Sequence, residues 1–240
     1  MIWTIEYNGG EKTLADWGLV NVTRTLLSQG LDTLTFTAAG AAADATGLFP
    51  FQAALTLHRN RAQNPDGSFS GGTPWFRGIV VQIPRHGAPE SESMRYKVAG
   101  PWWYLENLVF QQPFRAFNGY TIPNDPNSPP LYIDSESDTH LFLNLAPINA
   151  PTPSGKINTG QQIIEALNWA LKPFQTARVT PPFQVGSITP AMDVPIDEVR
   201  DITCAEVIHK MLRWSPDAVT WFDYTTSPPT FNCKRRSELT

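Results

Sequence analysis

Charge is scarce in this sequence. Asp, Glu, Lys and Arg supply 17% of the residues, against roughly 25% in ordinary soluble domains. The 18 basic and 22 acidic side chains leave a net charge of −4. A duplex-binding protein gathers Lys and Arg against phosphates, so nucleic acid is not an expected partner. The one dense basic run, Lys234-Arg235-Arg236, has the character of a solvated terminus. Cysteine is scarcer still. Cys204 and Cys233 fall in different predicted elements, too few for a disulfide scaffold or a zinc cluster, and are expected as buried free thiols. No stretch approaches the roughly 18 apolar residues that mark a membrane span, so no membrane insertion is expected. The opening M-I-W-T-I-E-Y-N-G-G has no basic region followed by an apolar one. It is not expected to act as a signal peptide, and the chain is expected in a cytoplasm.

Catalytic motifs are missing as well. There is no H-E-x-x-H, no G-x-S-x-G, no Walker loop and no G-x-G-x-x-G, and no cofactor is implied. His58, His86, His140 and His209 are scattered, which fits satisfied or solvated histidines better than ligands or bases. Asp134, Glu136 and Asp138 alternate like part of a calcium loop, but the glycine and glutamate that complete one are absent. A second acidic stretch holds Asp193, Asp197, Glu198 and Asp201, with Glu198 and Arg200 expected on a solvent face. A wall hydrolase built on an Asp/Glu pair is a remote alternative, since no two carboxylates stand out.

What the chain does have is strand pattern, proline and tryptophan. Residues 3–7 alternate and end at Asn8-Gly9-Gly10, a turn. Residues 19–27 alternate, with Val20, Val22, Arg24 and Leu26 expected on one face. In residues 31–38, Leu34, Phe36 and Ala38 oppose Thr33, Thr35 and Thr37. An Ala/Gly-rich linker covers 39–47, and residues 51–59 set Phe51, Ala53, Leu55 and Leu57 against Gln52, Ala54, Thr56 and His58. N-P-D-G and S-G-G mark a hairpin tip within 60–73, and residues 75–83 and 94–98 complete the set. About six short strands with half-buried alternation predict a β-rich α+β fold opening with an antiparallel β-barrel over 1–100.

After Gly100 the pattern changes. Pro101 suits the first position of a short helix over 103–109. Residues 112–153 are proline-rich and loop-like, with one strand expected within 140–145, so 101–158 forms a helix plus an insertion. The rest, 159–240, predicts a smaller α/β region. Thr159 to Gln162 and Thr203 to Glu206 each have the spacing of a capping box. Ile163, Ala166, Leu167, Ala170 and Leu171 form one apolar stripe, ended by Lys172-Pro173. Cys204, Val207, Ile208, Met211 and Leu212 form the other, stopped at Ser215-Pro216. Residues 218–224 and 230–234 predict a hairpin. Eight tryptophans are expected mostly in cores or subunit interfaces. Trp102 and Trp103 cannot both face one core, so one of them is the candidate interface ring. Stacking of exposed tryptophans on sugars, as in a β-rich carbohydrate-binding module, is the alternative role.

The stretch from Trp75 to Gln111 ties these features together: W-F-R-G-I-V-V-Q-I, a polar hinge, M-R-Y-K-V-A-G, then P-W-W-Y-L-E-N-L-V-F-Q. Phe76, Gly78, Ile79, Val80, Tyr96, Val98, Pro101, Leu105, Phe110 and Gln111 in this order resemble the baseplate hub family of contractile phage tails and the hub portion of type VI secretion spike proteins. The I-I-E-A-L of the first capped helix and the capped helix followed by a strand in 201–224 resemble the same family. The resemblance implies a prophage-derived structural protein, not an enzyme. It implies a trimer whose subunits each carry two barrels joined by α/β elements, with tail tube and spike proteins as partners. It carries no catalytic, cofactor or metal residues. The location implied is the bacterial cytoplasm during assembly, then the virion tail. The 112–153 segment is longer than the family pattern suggests. Residues 218–240 supply only the start of a second barrel, so the chain is expected to be the N-terminal part of a longer hub polypeptide.

Overall fold

The computed structural model describes residues 2–39, 48–83, 85–86, 93–111, 115–117, 132–134, 141–145 and 156–239. The strands are β1 (Ile2–Tyr7), β2 (Gly10–Thr13), β3 (Leu19–Thr25), β4 (Thr33–Ala39), β5 (Ala54–Gln63), β6 (Phe69–Ser70), β7 (Thr73–Gln82), β8 (Arg85–His86) and β9 (Ser93–Ala99). Helix α1 (Trp102–Asn107) follows, then β10 (Arg115–Phe117), β11 (Tyr132–Asp134), β12 (Leu141–Leu143) and the long helix α2 (Thr159–Ala177). The chain closes with β13 (Gln184–Ile188), β14 (Asp197–Val199), α3 (Cys204–Leu212), β15 (Ala218–Asp223) and β16 (Thr230–Arg235). It divides into two compact units. One holds Met1–Trp103, Pro182–Gln184 and Trp221–Phe231, and the other holds Tyr104–Pro181, Val185–Thr220 and Asn232–Thr240.

The first unit is built on a nine-stranded antiparallel sheet rather than about six strands. Its path runs β2-β1-β5-β7-β9-β4-β3, with β6 on β5 and β8 on β9. The buried ring of Phe49 explains the shape of this sheet. It lies 5.5 Å from Tyr7 on β1, 5.8 Å from Phe36 on β4 and 5.5 Å from Tyr96 on β9. In a flat sheet, β1 and β9 would be about 14 Å apart, at three strand spacings of roughly 4.8 Å. Their rings meet on one side chain, so the sheet curls strongly around an aromatic core. Arg24 of β3 makes a second such crossing, its guanidinium 3.7 Å from the centre of the Trp75 ring on β7. The ends of the path, β2 and β3, are not paired by any ladder among the described residues. The expected barrel is therefore a curled sheet without a closing ladder.

Bulges account for two departures from the simple alternation. The register of β3 on β4 shifts between Val20 and Thr23, where Asn21 takes a left-handed φ of 55°. Before the shift Leu19 faces the core and Val20 is exposed; after it Arg24 sits opposite buried Leu34. Val20 and Arg24 thus lie on opposite faces, because one extra residue inverts the pleat. Similarly, Phe51 is exposed rather than part of the β5 face, since Gln52 has φ of 64° and its N–H turns to the Val80 carbonyl. The strand starts at Ala54. The Leu34, Phe36 and Ala38 face is buried as the pattern requires.

In the second unit, α2 and α3 pack together through their apolar stripes, all ten predicted residues being buried. The α3 capping box is the one predicted: Thr203 Oγ1 accepts from Glu206 N–H, and Glu206 returns a bond to Thr203 N–H. That of α2 lies one residue earlier than expected. Asn158 is the cap, paired with Gln161, while Gln162 is buried and accepts the N–H of Asn144 at 2.7 Å. The helix also continues past Pro173. Proline removes one helical donor at a cost of about 3 kcal/mol. Packing of the next turn, where Phe174 meets Tyr104 edge-on at 5.3 Å, works against that cost, and Arg178 closes the helix in a left-handed conformation. The loop-like segment contains short pairings: β10 with β11, and β12 with β14. The expected strand over 140–145 is β12. The 39–47 linker after Ala39, Glu136, Asp138, His140 and the side chain of His86 lie outside the described residues. β13, β16 and β15 form a three-stranded sheet in that order, the last two joined as the predicted hairpin.

Candidate functional site

The segment singled out by sequence runs from the first unit into the second, the division falling between Trp103 and Tyr104. Phe76, Val80, Tyr96 and Leu105 are buried, and Ile79 is nearly so. Val80 pairs with Val98, which pairs in turn with Leu34; Ile79 pairs with Ala99. Tyr96 lies opposite Phe36 with the two rings stacked 5.2 Å apart. Gly78 sits on β7 facing the backbone of Ala99 on β9 at close range. A Cβ placed there would overlap the Ala99 carbonyl oxygen and stand 2.9 Å from a Phe76 ring carbon. No other residue fits that space, which is why glycine stands mid-strand.

Pro101 is buried directly before α1, one position outside the helix. Trp102 is only 1% exposed, and its ring stacks on Phe231 at 6.2 Å. Trp102 therefore belongs to the core and is not available as an interface ring; Trp103 is half-buried. Of the eight tryptophans, the exposed one is Trp214, at 53%. Sequence reasoning had no cause to favour it, because it follows the capped helix immediately.

Three polar arrangements were not foreseen. Asp32, buried at the start of β4, accepts the Leu27 N–H at 2.8 Å and the Tyr224 hydroxyl at 2.7 Å. Gly100 closes over the pair: its N–H donates to the Asp32 carbonyl at 2.8 Å, and a Cβ there would meet the Tyr224 oxygen. Burial pushes the Asp32 carboxyl above its ordinary value, only partly countered by its two donors. Burial and the neighbouring carboxylate push the Tyr224 phenol up. On the opposite face of the sheet, Arg61 clasps Glu11 through Nε and Nη2, and Thr4 donates to the same carboxylate. His58, nearly buried, meets Glu6 at 3.0 Å, so it is a satisfied histidine.

The third arrangement lies in the second unit. A cleft of about 470 Å³ is lined by Asn144, Pro195, Asp197, Lys210, Arg213 and Trp214, among others. Lys210 Nζ donates to Asp197 at 2.7 Å across it. Glu198 and Arg200 lie 3.8 Å apart and are solvent-exposed, as expected. Among the described residues no group of three or more His, Cys, Asp or Glu is arranged to hold a metal ion. Both cysteines are fully buried and free, and burial pushes each thiol up to about 12. No described helix is long and apolar enough to cross a membrane.

No family model matches the sequence, and no curated protein matches it. Solved structures do match the fold. The 43 kDa tail protein of prophage MuSo2 from Shewanella oneidensis aligns over 98% of this chain and 55% of its own, at 11% identity and a TM-score of 0.50. The prophage tail protein gp18 from Listeria monocytogenes aligns over 99% of this chain and 52% of its own, at 8% identity and a TM-score of 0.48. An E. coli component of the type VI secretion system, itself described as similar to the T4 tail proteins gp27 and gp5, aligns over 95% and 48%, at 6% identity and a TM-score of 0.45. The chain spans about half the length of these proteins, and its fold is similar to that of the MuSo2 prophage tail protein.

Proposed function

We propose that the chain is a structural component of a phage tail or tail-like machine: a hub or baseplate protein that joins the tail tube to the spike by oligomerisation, without catalysis. The observation that carries this is the continuity of the likeness, which takes in 98% of the chain alongside a prophage tail protein. The burial of Phe76, Ile79, Val80, Tyr96 and Leu105 supports it from within. Those residues specify a shape and offer no reactive group. In the arrangement proposed, the curled sheet of the first unit is completed into a barrel, and three copies assemble around an axis. A trimer satisfies a threefold spike, and two barrels per subunit present six similar surfaces to a sixfold tube. A cyclic assembly of this kind buries roughly 2,000 Å² or more per interface. The protein would assemble in the bacterial cytoplasm and persist in the tail.

Light scattering on the full-length polypeptide, together with mass spectrometry and antibody-labelled electron microscopy of purified particles, tests this. The expected result is a trimer mass and label at the tube–spike junction. A strict monomer that is missing from purified particles would overturn it.

A further inference from the structure

Of the four methionines, Met1 lies outside the described residues, Met94 and Met211 are 3% and 2% exposed, and Met192 is 37% exposed. Among the described methionines, Met192 alone stands open to solvent. Its backbone is nevertheless pinned. The N–H donates to Thr159 Oγ1 at 2.9 Å, and the carbonyl accepts the Thr159 N–H at 3.0 Å. Thr159 is fully buried at the first residue of α2. A Cβ on Gly160 would overlap the Pro190 carbonyl oxygen, so this stretch of chain lies directly against the start of the helix.

The Met192 side chain meets a cation. Arg235 Nη2, on β16, donates to the Met192 sulfur at 3.6 Å. Arg235 is half-buried, and its own backbone N–H donates to Glu238 Oε2 at 3.1 Å. Both residues belong to the second unit. A thioether is a weak acceptor. The guanidinium is therefore set against an atom that takes less than it can give.

We propose that Met192 is a site of reversible oxidation by hydrogen peroxide, and that Arg235 holds the sulfoxide it forms. A sulfur lone pair attacks one peroxide oxygen, and the O–O bond breaks as the S–O bond forms. The proton on the attacked oxygen passes to the departing hydroxide. Sulfur loses two electrons, and the peroxide leaves as water. The new oxygen is a stronger acceptor than the thioether, and one of the two sulfoxide epimers directs it toward Arg235. A charge-assisted hydrogen bond then replaces a weak one. In a core, a sulfoxide disrupts the apolar packing around it. Met192 is exposed and held through its backbone, so the polar product gains a donor and displaces no core. Methionine sulfoxide reductases reverse the step. Cys204 and Cys233 are fully buried and do not compete. The inference does not rest on the tail assignment.

The test applies dilute hydrogen peroxide to the folded full-length protein, with peptide mass spectrometry over time and thermal midpoints before and after. Met192 is expected to gain one oxygen about tenfold faster than Met94 and Met211, because buried methionines react only when the fold opens. In urea the three rates are expected to converge. Oxidation is expected to raise the parent's midpoint. The rise is expected to vanish in Arg235→Leu, which keeps the bulk and removes the donors, and in Met192→Leu, which removes the sulfur. Equal rates for the three methionines in the folded protein, a parent midpoint that does not rise, or an undiminished rise in either variant would overturn the proposal. The rates and the parent's shift need no variant, so they decide the question even where Arg235→Leu fails to fold.

Discussion

Tyr224 donates its hydroxyl to Asp32 Oδ2 at 2.7 Å across 192 residues of sequence. The bond fastens the first unit's Trp221–Phe231 stretch to the residue before β4, and the Tyr224 ring stacks on Phe76 at 5.0 Å. Removing the donor in Tyr224→Phe leaves a buried carboxylate short of one partner. The expected loss is about 1–3 kcal/mol, read from urea unfolding.

The same pair gives a signed pH dependence. Burial raises the Asp32 carboxyl above its ordinary 3.8. A carboxyl raised on folding is costlier to ionise in the folded chain. Its penalty is absent below the unfolded value, grows as pH climbs toward the folded value, and is complete above it. Asp32→Asn, which keeps the shape, is expected to flatten stability against pH across that window. Urea midpoints measured at a series of pH values check this, and a variant with the parent's slope would refute it.

Glu11 should show the opposite sign. Burial pushes it up, but Arg61 and Thr4 together outweigh burial and hold it below its ordinary 4.5. Its contribution is present above the unfolded value and is lost as pH falls through the lowered one. Glu11→Gln is expected to remove that acid sensitivity. A double-mutant cycle with Arg61→Ala should give a coupling of about 0.2–1 kcal/mol.

Gly78→Ala tests the close approach of strands β7 and β9. The added methyl would overlap the Ala99 carbonyl, so backbone must move. The expected cost is about 1–3 kcal/mol, seen as a lowered thermal midpoint. Parental stability would mean that the strands can separate at no cost.

Cys204 and Cys233 are expected to resist alkylation in the native protein. Both are fully buried with thiols pushed up to about 12, so almost no thiolate is present at neutral pH. Mass spectrometry after iodoacetamide treatment, with and without denaturant, checks it. Native labelling of either would overturn the assignment.

Much of the architecture was legible because it is written locally. The stripes of α2 and α3, the Thr203–Glu206 box and the Leu34, Phe36 and Ala38 face follow periods of 3.6 and 2 that any window reveals. Local rules fail in this chain where a tertiary contact overrides them. Asn21 and Gln52 adopt positive φ and break an alternation that looked continuous. Pro173 is a stop signal by local rules, yet the helix is held beyond it by packing around Phe174. Of the adjacent pair Trp102 and Trp103, which cannot both face one core, the stacking on Phe231 decides that Trp102 is the buried one. The Asn144 cleft left no trace in composition, since its residues come from three separate stretches of the chain.

The sequence by itself determined most of the strands and the two capped helices, and which of their faces are apolar, because propensity and periodicity act between near neighbours. Only the tertiary structure decided that Asp32 meets Tyr224, that the sheet curls around Phe49, and that Asn144 Oδ1 is buried without a donor among the described residues. Those relationships join residues far apart in the chain, and they exist only once folding has removed both partners from water.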